Sequence, residues 1–300
     1  MLDTLQRLLP IIIGIAAGYS LRRLGMVDHR DGEAVFKLVF YVFLPAAMFV
    51  SLSTVQLGRQ FAIYPVAAVV IIVAGYLAGR LTAAKARFNP VQVAVAVTAC
   101  MIVNSGFALP FVQALYGQEG VARIAAFDAV NTTVTMTWAY YLAARGNPRH
   151  QGGSLLLGRL AKSPALYATA SGLLINLSGV QVPAAIAEPA AKFGSAIAVL
   201  ISLGVGILFD PLGGSLRRAG LIVAVRLGTG LAVAMAIVLI LDLDGMDRTI
   251  VLLLGAAPVA FSVVTFASLE DLDIRLATTA LSLSLMTGLA LSLLVTFISG

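Results

Sequence analysis

Apolar residues follow one another in runs long enough to cross a lipid bilayer, with only short polar connections between them. A helix needs about 20 apolar residues to span the hydrocarbon, and runs of that order fall at about 5–22, 35–54, 60–80, 90–116, 122–144, 164–181, 190–209, 219–241, 247–268 and 275–298. Of 300 residues, 60% are hydrophobic and only 11% are charged, against about 25% charged in soluble domains. Mean hydropathy is +0.98. In lipid every backbone N–H and C=O must be bonded within the protein, which helices achieve segment by segment. The expectation is an all-α membrane protein of ten transmembrane helices, with no room between spans for a soluble domain. Arg22 and Arg23 follow the first run directly, without a small-residue cleavage pattern, so it is read as a span and not as a removed signal.

Two of the runs are interrupted. Val103-Asn104-Ser105-Gly106-Phe107-Ala108-Leu109-Pro110 breaks the fourth, and Gly255-Ala256-Ala257-Pro258 breaks the ninth. A proline inside a helix removes a donor and clashes with the preceding turn, at a cost of about 3 kcal/mol. Unwound backbone at membrane depth survives only against protein or a water-filled cavity, and the simplest partner for each break is the other one. If they cross, half-helices starting near Phe111 and Val259 aim positive N-terminal ends at one point, and halves ending near Val103 and Ala257 aim carbonyls there. Such a crossing can hold an anion.

Basic residues set the orientation. With the N-terminus outside, fourteen of the 20 Lys and Arg residues fall on inner connections, among them Arg22, Arg23, Arg80, Arg145, Arg217 and Arg275. Five (Arg7, Arg59, Arg123, Lys192 and Arg248) fall outside, and Arg226 lies within a span. This bias places both termini on the non-cytoplasmic side. It also accounts for the net charge of +6 without any nucleic-acid partner. Pro10, Gly18 and Gly25 are matched by Pro164, Gly172 and Gly179 at a constant displacement. The two copies meet their inner basic residues at opposite ends, so they cross in opposite directions. The expected organisation is a first inverted repeat of five helices over 1–144, a cytoplasmic linker over 145–163 and a second inverted repeat over 164–300, with Pro110 and Pro258 at equivalent places.

Asn104 carries an amide able to donate to a carboxylate, or to satisfy backbone freed by the break. Ser105 and Gly106 allow close approach of the opposing backbone, and Ser262 and Thr265 line the other side or bond back to their own helix. With Pro110 and Pro258 these residues form the expected substrate-binding set. Asp128 is an acid inside a span, where insertion costs on the order of 3 kcal/mol, and Asn131 shares its helix face. Together they are read as a coupling site or polar track, the alternative being that Asp128 reaches the interface. Arg226 is read as snorkelling to the inner surface or guiding an anion along the inner pathway. The pairs Gly14/Gly18 and Gly75/Gly79 suit helix packing. Cys100 stands alone, which excludes an internal disulfide and a cysteine metal cage.

The segment Asn104-Ser105-Gly106 with Pro110 and Ala114-Leu115-Tyr116-Gly117 resembles the fourth-span signature of the auxin efflux carrier family. Ser163-Pro164-Ala165 with Gly172-Leu173-Leu174, Val182-Pro183, the stretch around Pro45 and Gly255-Ala256-Ala257-Pro258 are similar to other family segments. The resemblance implies crossing helices 4 and 9 between a scaffold and a transport domain, as in bile-acid symporters and sodium/proton antiporters. It points to the bacterial malate and malonate permeases more than to the plant auxin exporters, whose long hydrophilic central loop is missing. Asn104 and Pro110 stand about one residue closer than in many relatives.

The expected function is secondary transport of small organic anions, such as dicarboxylates or auxin-like acids, by alternating access in the plasma (inner) membrane. The alternative is a sodium-coupled bile-acid-type symporter or a cation/proton antiporter of the same fold. No cofactor is expected. The driving force is left open between a coupled proton, a sodium ion and the membrane potential alone, and the resemblance suggests a homodimer. An intramembrane enzyme is disfavoured because His29 and His150 fall in connections and Asp128 has no second acid for an aspartyl dyad. A receptor without a soluble output domain gains little from inverted halves.

Overall fold

The computed structural model describes residues 2–54, 59–147, 164–209 and 215–299, and its elements are all helical. They are α1 Leu2–Arg23, α2 His29–Leu38, α3 Leu44–Thr54, α4 Ile63–Lys85, α5 Pro90–Met101, α6 Ser105–Val134, α7 Tyr140–Gly146, α8 Pro164–Ser178, α9 Ala184–Leu208, α10 Leu216–Ile240, α11 Gly245–Gly255, α12 Phe261–Leu269 and α13 Ile274–Ser299. Wide π-helical turns, Val39–Phe43 and Thr135–Ala139, carry α2 into α3 and α6 into α7. Most of the expected linker, beyond residue 147, lies outside the described residues.

Four uninterrupted helical stretches among the described residues are long and apolar enough to cross a membrane: Arg30–Thr54, Ile63–Lys85, Leu216–Ile240 and Ile274–Ile298. α5 and α11 have 12 and 11 residues. At 1.5 Å per residue they reach only about 18 and 16 Å, short of the ~30 Å hydrocarbon, and each continues past a gap into another helix.

Local chemistry fixes many of the ends. Asp28 caps α2 and Asn89 caps α5, each in a reciprocal capping box with the residue three further on, and Pro90 fills the first turn of α5 where no N–H is needed. Past the helix C-termini, left-handed residues recur in pairs: Gly25 (φ 70) with Gly179 (φ 71), Arg87 (φ 53) with Asp242 (φ 48), and Gly117 (φ 57) with Asp271 (φ 50). Each pair is about 154 residues apart. Gly117, with ψ −140, divides α6 into two helices. A Cβ there meets nothing within 4 Å, so backbone strain alone decides its replacement. Gly117→Ala is expected to lower stability by about 1–3 kcal/mol without altering packing, read as the thermal midpoint of the protein in detergent.

The helices pack as two groups. α1, α3, α8 and α9 form one, with α2 against α9; α4, α5, α7, α10, α11 and α13 form the other, and α6 touches both. Between the groups Phe36 of α2 stacks on Phe261 of α12, with centroids 4.1 Å apart, and Ser51 of α3 donates to Gln118 just past Gly117 (2.5 Å). Within each group small residues bring backbones into contact, as expected for Gly14, Gly18, Gly75 and Gly79. A Cβ on Gly18 would lie 2.1 Å from the Leu203 carbonyl oxygen, and one on Gly75 2.2 Å from that of Cys100.

The outer basic residue Arg123 is a buried strut, not a loop charge. Its Nε donates to Asp247 (2.8 Å), which also accepts from Tyr64 (2.5 Å), and its Nη1 reaches Glu119 (2.9 Å), tying α6 to α4 and α11. At the other end Gln92 donates to Asp273 (3.0 Å) and accepts from Arg218 (3.0 Å), joining α5, α13 and α10.

Candidate functional site

The two interruptions meet. Val103, between α5 and α6, and Val259, between α11 and α12, form an isolated antiparallel bridge, and every residue from 101 to 110 and from 251 to 260 is buried. Ile102 is extended (φ −81, ψ 126) and Asn104 caps α6 by accepting from the Phe107 N–H (3.1 Å). On the other strand Ala256 ends α11, Pro258 forbids helical continuation, and Ala260 is extended (φ −81, ψ 149) before α12 begins.

Side chains bond both backbone groups of each paired valine, as burial in lipid demands. The Val103 N–H donates to Asn131 Oδ1 (3.2 Å), and Asn131 Nδ2 returns a bond to the Val103 carbonyl (2.9 Å). The Val259 N–H donates to Ser284 Oγ (3.0 Å), and Asn104 Nδ2 donates to the Val259 carbonyl (3.1 Å). Asn104 therefore serves backbone groups of both interruptions. An amide carries two N–H groups, so among the described residues one of Asn104's is left over.

Asp128 sits beside this pairing and is buried. Its Oδ1 accepts from Ser105 (2.5 Å) and Asn131 (3.1 Å), its Oδ2 from Thr132 (2.8 Å). The structure thus brings Asn104, Ser105, Asp128 and Asn131 into one network, with Gly106 buried next to it and Pro258 adjoining Val259. Asp128 stands eleven residues past Gly117, about 16 Å along the helix. Ser262 is half-buried on the first turn of α12, and Thr265 is exposed and bonds back to the Phe261 carbonyl (3.4 Å), away from the pairing.

Four expectations need correction. α6 starts at Ser105, not near Phe111, because Asn104 is the better helix cap and the buried backbone needs the earliest possible return to helix. α12 starts at Phe261, not near Val259, since Val259 is taken up in the bridge. Pro110 is therefore inside α6, where it leaves the Gly106 carbonyl without its usual donor, and it is not the counterpart of Pro258; the structural equivalents are Val103 and Val259. Arg226 does not snorkel, since it is 1% exposed. Sequence reasoning missed Ser284 altogether. The repeat offset of about 154 carries Asn131 to Leu285, one residue past Ser284, so the available signal gave the neighbourhood and not the residue.

A cavity of about 370 Å³ lies elsewhere, between the ends of α3 and α8, lined by Ser53, Thr54 and Asn176 among others; it shares no residue with the paired breaks.

A pairing of two broken, buried helices belongs to membrane carriers, and comparison of the whole chain gives the class. Residues 3–297 match the family model described as "Membrane transport protein", that is, the auxin efflux carriers. The chain belongs to this family. The transporter is 26% identical over 293 residues to a protein of Methanothermobacter thermautotrophicus described as an uncharacterized transporter, covering 95% of this chain and 94% of that one. An uncharacterized transporter of Methanocaldococcus jannaschii is 23% identical over 281 residues, 89% and 90% of the two chains. The transporter is accordingly an integral membrane protein.

Proposed function

We propose that the transporter is a secondary carrier of small organic anions, carboxylates above all, working by alternating access at the crossing of its fourth and ninth helices. The observation that carries this reading is the pairing of Val103 with Val259, which gathers two helix N-termini, two helix C-termini and a partly unused Asn104 amide at one buried point. The left-handed residue pairs support two related halves, and the bias of basic residues supports an inverted arrangement of ten helices with both termini on the non-cytoplasmic face of the plasma membrane. The two packing groups fit a scaffold and a moving domain, with the first half of α6 and α12 at the boundary. The burial of both breaks fits an occluded conformation. Asp128, ringed by two hydroxyls and an amide, is the coupling group, for a proton or a sodium ion.

The test is charge movement by the purified protein in liposomes on solid supports, during jumps of malate, malonate, 2-oxoglutarate, indole-3-acetate and taurocholate. Saturable currents for one class of acid are expected. Asn104→Ala should reduce them at least tenfold, and Asp128→Asn should remove their dependence on a proton or sodium gradient while leaving substrate binding. Silence across the panel with no substrate binding sinks the organic-anion reading and favours a cation antiporter. Currents driven by sodium and taurocholate alone favour the bile-acid-type symporter.

A further inference from the structure

One charged group at the core of the larger helix group has no role in the network around Asn104. Arg226, on α10, is 1% exposed, and neither its Nε nor its Nη2 has a hydrogen-bonding partner among the described residues. It stands about ten residues into α10, some 15 Å from the helix start, too deep for its side chain to reach either surface. An unpaired charge at such depth is costly and in membranes marks a substrate or ion pathway by default.

Its neighbours lie just before the two breaks. Cys100, next to the last residue of α5, is within electrostatic reach of the guanidinium, and its thiol donates to the Ile222 carbonyl one turn before Arg226 (3.7 Å). A Cβ placed on Gly230, one turn after Arg226, would lie 2.5 Å from Arg226 Nη1 and 2.3 Å from the carbonyl oxygen of Gly255, the last residue of α11. Arg226 is thus at the C-terminal ends of α5 and α11, one turn from Val103 and Val259. Those ends carry partial negative charge. They are the half of the crossing that repels an anion, whereas the N-termini of α6 and α12 attract it.

Packing does not require an arginine here. The close approach of Gly230 to the Gly255 carbonyl, where an added Cβ would lie 2.3 Å from the oxygen, repeats that of Gly75 to the Cys100 carbonyl, where it would lie 2.2 Å away. Four residues before Gly230 is Arg226; four residues before Gly75 is Ile71, also 1% exposed. The same slot is filled by a plain aliphatic side chain in the first half. What the second half adds is a positive charge and a row of donors.

We propose that Arg226 is an anion-binding residue that receives a carboxylate on its free Nε and Nη2 edge. Those two N–H groups lie side by side on the guanidinium plane and match the two oxygens of a carboxylate in a bidentate pair. The bound carboxylate supplies the missing countercharge, and Arg226 offsets the repulsion from the carbonyl ends of α5 and α11. The carboxylate class rests on the anion-carrier reading; the need for a countercharge does not.

The experiment follows the thermal midpoint of the purified protein while acetate, malonate, malate and indole-3-acetate are titrated at constant ionic strength, with malonamide as the neutral control, and records currents in liposomes for the same set. For the wild type a saturable upward shift with at least one anion and none with malonamide is expected. Arg226→Lys keeps the charge but loses the two-pronged edge, and its apparent affinity for that anion should fall at least tenfold. Cys100→Asp places a carboxylate beside the guanidinium; its anion-free midpoint should equal or exceed that of the wild type, and its response to added anion should vanish. An unchanged affinity and KM in Arg226→Lys, with wild-type currents intact, overturns this inference and leaves the carrier reading standing. An anion-dependent shift abolished in Arg226→Lys, without transport, upholds the site and sinks the carrier reading. A wild type insensitive to every anion overturns both.

Discussion

Replacement of Asn131 by leucine is expected to destabilise the transporter by about 2–6 kcal/mol, more than any other single side-chain change at the paired breaks. The leucine fills similar volume, so the loss is one of hydrogen bonds. Asn131 is partner to both the N–H and the carbonyl of Val103, and it also donates to Asp128. A buried polar group left without its partner costs about 1–3 kcal/mol; the Val103 N–H loses its partner outright, the Asp128 carboxylate loses a donor, and the Val103 carbonyl keeps only the Ser105 N–H (3.0 Å), so two groups are affected together. Ser284→Ala removes a partner from the Val259 N–H alone, so its expected cost is about 1–3 kcal/mol, roughly half as much. Cys100, the single cysteine, is buried, and its reaction with a thiol dye during a temperature ramp in detergent follows unfolding without an added label. If Asn131→Leu were no worse than Ser284→Ala, water would be reaching Val103, and the breaks would line an open cavity in solution.

The second large effect concerns two glycines on one helix. Gly230→Ala would set a Cβ 2.3 Å from the Gly255 carbonyl oxygen, a backbone atom that cannot turn aside, whereas Gly228→Ala meets nothing within 4 Å. Overpacking of this kind costs about 1–3 kcal/mol, while an unobstructed glycine-to-alanine change inside a helix gains about 1 kcal/mol. The two variants should therefore move the thermal midpoint in opposite directions although they share helix, chemistry and near-equal depth. Equal shifts would mean that α10 and α11 do not touch where Gly230 and Gly255 meet.

Hydrophobic run length carried most of the helical architecture, because in lipid a segment of about 20 apolar residues has few options besides helix. The breaks were legible too, through Pro258 and through the stretch from Val103 to Pro110, but not their edges. Pro110 looked like the edge of a break, and the structure absorbs it into α6 because Asn104 caps the helix six residues earlier. Arg123 read as an outer charge from its place near the end of a run; its burial depends on Asp247, more than a hundred residues away, which no local pattern contains. Arg226 was misjudged in depth, since α10 begins at Leu216 and not at 219, which moves the side chain another turn from the surface. Asp128 and Asn131 were read on one helix face, where they are hydrogen-bonded, because their three-residue spacing is local. Ser284 was passed over because hydroxyls in spans usually bond back to their own helix, as this one also does to Leu281 (2.7 Å).

The left-handed residues and close glycine contacts recur at matched positions in both parts of the chain, but the charges do not. Asp128 belongs to the first part alone and Arg226 to the second, where the first has Ile71. A protein assembled from two copies of residues 1–144 would retain the turns and the tight contacts, yet it would hold two acids and no arginine at its centre. The geometry is held in common while the ionic tasks are divided, so that neither part can stand in for the other.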